Sequence, residues 1–331
     1  MKRVSLDLEP VPPFRLDLTA WALRRRPDNL FDRWDGAAYR RILVTDDGKP
    51  FEVTVTQIGT PTVPRLRVSI HGEKPNEKMK RQAVAALERL LGINLRLDGF
   101  YRMANRDEKL KPVAKQFRGF KPPRLHSYFE TLVNAISCQQ LTLTMGIRLV
   151  NSLVERYGLA FQSDDGVFHA FPRPQDLANA DLDEMRGMKF SYQKARYITG
   201  IAQSIAQGEL NLDVIAALDD ADAIERLCDL KGIGRWTAEY FLLRGLGRTH
   251  IFPADDVGAR NHLERWLGLP EKLNYETTHQ AIEPWKDYGG LIYFHLLLKV
   301  CRKKKSSSDL SLRATQRRTQ CALCRRAKQS T

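Results

Sequence analysis

Two stretches of this 331-residue chain hold residues whose types and spacing could do chemistry: LKGIGRWTAEYF, Leu230 to Phe241, and PADDVGAR, Pro253 to Arg260. In the first, Gly232-Ile233-Gly234 separates two helical patterns. Glycine permits positive φ and the close approach of a second backbone, and the amides that open the next helix face outward with a favourable dipole. That combination suits a phosphate group, with Ile233 pointing inward to lock the turn. The same three residues also serve as a plain structural hairpin, because so short a motif is weak on its own. Trp236 and Tyr240 lie one helical turn apart and share a face, as core residues or as the wall of a pocket. In the second stretch Asp255 and Asp256 follow Pro253 and precede a helix starting at Val257, so either can be its N-cap. Their spacing does not separate them.

The elements that must position these residues divide the chain. From Val4 to about Gly72 the pattern alternates: VSLDLE, FEVTVTQI and RLRVSI read as strands, with a hairpin turn at Asp47-Gly48. A helix over Pro75–Leu91, stopped by Gly92, packs on that sheet, and a short helix is expected near Leu18–Arg25. The expectation is an α+β fold: an antiparallel sheet domain over 1–105, then an all-α domain over 106–300. The helical half is read from Ser127–Tyr157, Pro174–Arg186, Tyr192–Gln207, Val214–Leu227, Trp236–Leu246 and Val257–Leu267. Residues 301–331 carry ten Lys and Arg against one Asp, lack apolar periodicity and read as a basic, disordered tail.

Composition narrows the class. A formal net charge of +14 points to a polyanionic partner, nucleic acid or an acidic membrane surface. Mean hydropathy is −0.41 and no apolar run approaches the ~20 residues of a membrane span, so a membrane protein is not expected. MKRVSLDLEP lacks the apolar segment of a signal peptide, and five unevenly spread cysteines do not make a disulfide framework. An intracellular compartment follows: cytoplasmic in a bacterium, nuclear in a eukaryote.

LKGIGRWTAEYFLLRGLGRTHIFPADDVGAR resembles the helix-hairpin-helix DNA glycosylases with a Gly/Pro-rich loop and a following Asp, the 3-methyladenine DNA glycosylase II type above all. SYFETLVNAISCQQLT, GMKFSYQKARYITGIA and PWKDYGGLIYF match in order and approximate spacing, as does the N-terminal sheet region. The resemblance implies excision of alkylated bases from double-stranded DNA by cleavage of the N-glycosidic bond, and a monomer is expected. Such work requires a flipped nucleotide, a grip on bent DNA and stabilisation of positive charge on the sugar as the base departs.

By resemblance Asp256 is the catalytic carboxylate, stabilising an oxocarbenium-like sugar and orienting water, which leaves Asp255 as the cap. Trp236, Tyr240 and Phe294 are implied to form the base pocket, where a cationic methylpurine gains from aromatic faces. Leu141 takes the place of the side chain inserted into the DNA stack, with Gln140 beside it. Amides of Gly232 and Gly234 grip phosphate, helped by Arg235, Lys231 and Lys194, and family members hold a monovalent cation on hairpin carbonyls. Otherwise no cofactor or metal is expected.

Two departures bear on the chemistry. Bifunctional relatives place a Schiff-base lysine two residues after the second hairpin glycine, where this chain has Trp236, so hydrolysis without strand cleavage is expected. Cys301 and the pair Cys321-x-x-Cys324 do not supply the four close cysteines of an iron–sulfur cluster, and the pair could bind zinc only with ligands from elsewhere. The rival readings are a glycosylase for deaminated or oxidised bases and a noncatalytic damaged-DNA-binding protein.

Overall fold

A computed structural model describes residues 2–299. The expectations for 301–331, namely the basic tail and its CxxC pair, lie outside the described residues. The architecture is α+β, as the alternation and periodicity predict.

Five strands form an antiparallel sheet in the order β1-β5-β4-β3-β2: β1 Lys2–Leu8, β2 Arg33–Trp34, β3 Ala38–Val44, β4 Pro50–Gln57 and β5 Leu66–Gly72. Val53 stands opposite Ile70 and Val55 opposite Val68, and all four are buried. The strands' period of two turns these side chains to one face. Two helices cover it. α1, Leu16–Arg24, contributes Leu16, Ala20 and Leu23; α2, Glu77–Leu91, contributes Ala83, Leu87 and Leu90. α2 starts on the Asn76 side chain, which accepts the Met79 amide, and stops where Gly92 turns left-handed.

The other face of α1, Leu18 and Ala22, belongs to a second core. There it meets α3 Asp98–Arg106, α4 Leu110–Gln116 and the C-terminal helices: α13 Val257–Leu267, α14 Tyr275–Ile282 and α15 over 289–299. A third core unites α5 Tyr128–Cys138, α6 Leu143–Tyr157, α8 Leu182–Gly187, α9 Tyr192–Ala206, α11 Asp220–Cys228 and α12 Arg235–Phe241. Short helices α7 Pro174–Leu177 and α10 Leu212–Ala216 complete the chain order. The sheet core reaches Ala135 of α5 and Tyr240 of α12, so these two helices are shared between the sheet core and the helical core.

Three long helical expectations are corrected into pairs. The expected Ser127–Tyr157 helix breaks between α5 and α6, Pro174–Arg186 between α7 and α8, and Val214–Leu227 between α10 and α11. At each break a polar side chain caps the second helix: Thr142, Asp181 and Asp219 accept the amides of Met145, Glu184 and Asp222. The helical half is also not all-α. A hairpin, β6 Ala160–Ser163 and β7 Gly166–His169, follows α6, and its Phe161 packs on Ile42 of the sheet. Its Ser163 hydroxyl donates to the Glu52 carboxylate at 2.9 Å. The turn at Asp165-Gly166, with Gly166 at φ 135°, is the signal passed over in a region of strong helical periodicity.

Candidate active site

The hairpin between α11 and α12 is built as the glycines suggest. Gly232 has φ 89°, and a Cβ placed there would stand 2.1 Å from the Tyr197 ring, so both the conformation and the packing require glycine. Ile233 is buried in the helical core. Gly234 opens α12 with no side-chain cap.

A second turn rests against it. Between α5 and α6 the chain runs through Gln139, Gln140 and Leu141, and Gln140 is left-handed at φ 54°. The Gln139 amide donates to the Gly232 carbonyl at 2.8 Å and to Thr237 Oγ1 at 3.0 Å, which ties the two turns together. Lys194, expected as a phosphate ligand, instead spends its ammonium on the carbonyls of Gln139 at 2.6 Å and Ser137 at 3.2 Å. Burial pulls its pKa down. Held from both sides, the turn presents Leu141 with 42% exposure.

The loop before α13 carries the two aspartates, and here the expectation for Asp255 is corrected. Asp256 is the N-cap: its Oδ1 accepts the Ala259 amide at 2.9 Å, while its Oδ2 accepts the Tyr293 hydroxyl at 3.2 Å. Asp255 pairs with Arg235 at 2.8 Å, whose guanidinium stacks 3.5 Å from the Tyr275 ring centre. Arg235 is thus anchored between the hairpin and the loop. Tyr293 stays a neutral donor, because burial and the Asp256 charge push its pKa well above the ordinary phenol value.

A cleft of about 1210 Å³ gathers these parts. Asp256, Tyr293, Phe294, Trp236, Tyr240, Leu141 and Gly232 all line it, so the structure brings the expected residues to one place. The Trp236 and Tyr240 rings lie 5.5 Å apart between centres at 33°. Phe294 packs against Phe120 and Tyr293 and is 1% exposed. Arg25 and Arg244 also line the cleft, and sequence reasoning named neither.

Behind the loop Glu239, also unforeseen, accepts the Ala254 amide at 3.1 Å and the Tyr275 hydroxyl at 2.8 Å. This carboxylate holds the loop that sets Asp256. Burial raises its pKa to about 7, and the nearby Asp255 charge adds to the effect. A carboxyl whose folded pKa lies above the unfolded one, about 4.3, contributes stability that is present below that value and lost as pH rises through about 7. Glu239→Gln cannot titrate. Its Tm, compared with wild type in thermal melts across pH 4.5 to 8, is expected to gain on the wild-type Tm up to about 7 and hold level beyond. A constant gap would show that Glu239 ionises normally.

Residues 133–287 match the family model described as HhH-GPD superfamily base excision DNA repair protein. The chain is similar to a DNA-3-methyladenine glycosylase of Bacillus subtilis, 28% identical over 69% of this chain and 75% of that one. It is similar to DNA-3-methyladenine glycosylase 1 of Schizosaccharomyces pombe, 31% identical over 53% of this chain and 76% of that one. Among solved structures it resembles a 3-methyladenine DNA-glycosylase from Archaeoglobus fulgidus, with TM-score 0.75 and 27% identity over 88% of this chain and 97% of that one.

Proposed function

Because the chain belongs to the HhH-GPD superfamily of base-excision DNA repair proteins and is a DNA glycosylase, we propose that it flips alkylated purines of the 3-methyladenine and 7-methylguanine type out of duplex DNA and hydrolyses their N-glycosidic bond. The observation that carries this is the division of labour at Asp256. One carboxylate oxygen caps α13 and fixes the side chain, while the other lies with Tyr293 at an aromatic cleft.

Duplex DNA is gripped by the hairpin backbone at Gly232 and Gly234, through amides at the start of α12 that no side chain caps. Leu141, exposed on a braced turn with Gln140, fills the gap that the flipped nucleotide leaves. The extruded base stacks between Trp236, Tyr240 and the edge of Phe294. As the C1′–N bond breaks, positive charge grows on the sugar. The Asp256 carboxylate stabilises it and orients the water that attacks C1′. Asp256 acts alone because a methylated purine departs as a neutral molecule and needs no strong acid. Trp236, at the position of a lyase lysine, leaves an intact abasic strand as the product.

Arg235 and Lys194 serve this reading as braces more than as phosphate ligands, since their charges are already engaged. A monovalent cation would sit on the hairpin carbonyls. Those of Leu230 and Gly232 each accept one hydrogen bond and keep a second lone pair for it, and its charge would add to the grip on phosphate.

The test is incubation with methylated duplex DNA, separating free bases from the polymer. Free methylpurines are expected to accumulate with strands that stay whole until treated with alkali. Strand cleavage without alkali would make the enzyme a lyase. Release of no base from methylated, deaminated or oxidised DNA would leave only damage binding.

A further inference from the structure

The hairpin, the Leu141 turn and the aspartate loop leave α3 and α4 without a part in gripping DNA. Each of these two helices buries one apolar face, through Phe100, Tyr101 and Ala104 on α3 and Leu110, Val113 and Ala114 on α4. Their outward faces carry Arg102 and Arg106, one turn apart on α3, and Lys111 and Lys115, one turn apart on α4, with Arg118 just past its end. All five are exposed. Among the described residues the first four form no hydrogen bond or ion pair through their side chains, and Arg118 meets the Tyr101 ring at 4.6 Å from its centre. Elsewhere on the surface exposed cations are answered by acids: Arg67 by Asp7, Lys78 by Asp46, Arg156 by Glu184 and Arg226 by Asp229.

The chain holds 53 Lys and Arg against 39 Asp and Glu, and residues 301–331 hold ten against one, so residues 1–300 hold 43 against 38, a net +5. Residues 102–118 alone hold six against two, a net +4. Both acids sit at the junction of the helices, where Asp107 is engaged: its Oδ1 accepts the amides of Lys109 and Leu110, and its Oδ2 accepts the Trp285 indole N–H at 2.8 Å. Like charges at i and i+4 repel and weaken a helix. Two such pairs on one surface, with no acid between their members, are a cost to the fold that an anion of matching extent would remove. No large apolar side chain is exposed on either helix. An anionic membrane holds a helix through apolar insertion as well as charge, whereas the phosphates of a duplex need only the charge.

This surface lies beside the cleft. His295 of α15 packs on Phe100, Phe117 and Phe120, with ring centres 5.0, 6.1 and 5.5 Å away, while Phe294, Leu297 and Leu298 of the same helix line the cleft. Two helix diameters, about 20–24 Å, therefore separate the basic face from the cleft. We infer that the outward faces of α3 and α4 are a second contact surface for duplex DNA, gripping phosphates that flank the lesion at a distance the hairpin does not reach. The inference rests on the duplex-DNA partner of the reading above and adds a surface to it. Each phosphate neutralised by these cations releases condensed counter-ions, so the contact adds affinity without sequence preference and weakens as salt rises.

The experiment measures equilibrium binding, across a range of potassium chloride concentrations, to duplexes with one central abasic-site analogue. One duplex has about 10 base pairs and ends about 17 Å from the lesion; the other has about 30 and extends about 50 Å from it. The full chain is compared with the triple variant Arg106→Gln, Lys111→Gln and Lys115→Gln, changed at exposed positions outside the catalytic machinery. On the long duplex the slope of log affinity against log salt is expected to fall by about 2–3, and affinity at moderate salt by about tenfold. On the short duplex both should match wild type, as should single-turnover release of 7-methylguanine, which also shows that the variant folds. Residues 301–331 are the same in both proteins, so the difference between them reads α3 and α4. Equal losses on the two duplexes, no loss on the long one, or a wild type whose affinity does not grow with length would overturn the inference. So would loss of binding to phosphatidylserine vesicles with DNA binding unchanged, which would make the face a membrane contact. A wild type that releases no base, while the length effect and its loss in the variant persist, would support this surface and remove the glycosylase reading instead.

Discussion

Asp256→Asn is expected to slow base release by about 10³-fold while binding to duplex DNA with an abasic-site analogue stays within a few-fold of wild type. The two numbers separate because the side chain has two jobs. Asparagine is as good an N-cap as aspartate, so its carbonyl can go on accepting the Ala259 amide and α13 keeps its start. Its amide group then faces Tyr293, whose hydroxyl can turn from donor to acceptor. What is lost is the negative charge beside the sugar. Asp255→Asn is the matched control: it breaks the Arg235 pair, whose members are half exposed and roughly a third exposed, and such a pair is worth about 1 kcal/mol or less. Release by that variant should fall less than about tenfold on this ground. Single-turnover release, a thermal melt and an equilibrium binding curve on each protein check the set. Equal losses in the two variants would mean that the loop's shape, and not the Asp256 charge, carries the effect.

Local features made the hairpin and the aspartate loop legible. A glycine pair between helical patterns, a Trp and Tyr at i and i+4, and an Asp pair before a helix are each confined to a few residues. Which aspartate caps α13 was not readable, because the answer depends on where the backbone turns after Pro253, and the Arg235 partner that occupies Asp255 is chosen by the fold. Arg25 had no signal at all: it joins the cleft only because α1 is wedged between two cores and ends beside Tyr240. Arg244 did have one, four residues after Tyr240 on the same face. An arginine on a helix reads as solvated, and only its 2% exposure shows otherwise. Lys194 misled in the opposite sense, a charge that looks free for phosphate and is bound to carbonyls that shape the Leu141 turn. The sheet and the stop at Gly92 followed from alternation and helix-stop chemistry, since these depend on neighbours in sequence, while the expected start at Pro75 gives way to Asn76, which caps a helix beginning at Glu77.

The position at which sheet and helices depend most on each other is Arg41, and Arg41→Leu is expected to cost about 3–5 kcal/mol. Arg41 lies on β3 and donates to Asp32 at 2.7 Å and to Glu130 of α5, and all three side chains are 1% exposed. Tyr39 adds its hydroxyl to Asp32 at 2.6 Å. Removing the guanidinium strands two carboxylates out of water, which is far more costly than the Coulomb attraction alone suggests. For a chain of this size the loss corresponds to a Tm lower by about 5–15 °C. Two further measurements distinguish orphaned charge from a packing defect. Acidification should narrow the gap to wild type, because carboxyls left without a cation have raised folded pKa values, and the stability they give is present at low pH and lost as pH rises. Adding Asp32→Asn and Glu130→Gln to Arg41→Leu should return most of the lost stability, since replacing a whole buried ionic set is far less harmful than removing one member. If the triple variant melts no higher than Arg41→Leu, the cavity left by the arginine stem accounts for the loss. Because α5 runs from Glu130 directly into the turn that carries Leu141, the same variants should also show whether the sheet braces that turn: weakened binding to the abasic-site analogue, at a temperature where the protein is fully folded, is the expected sign.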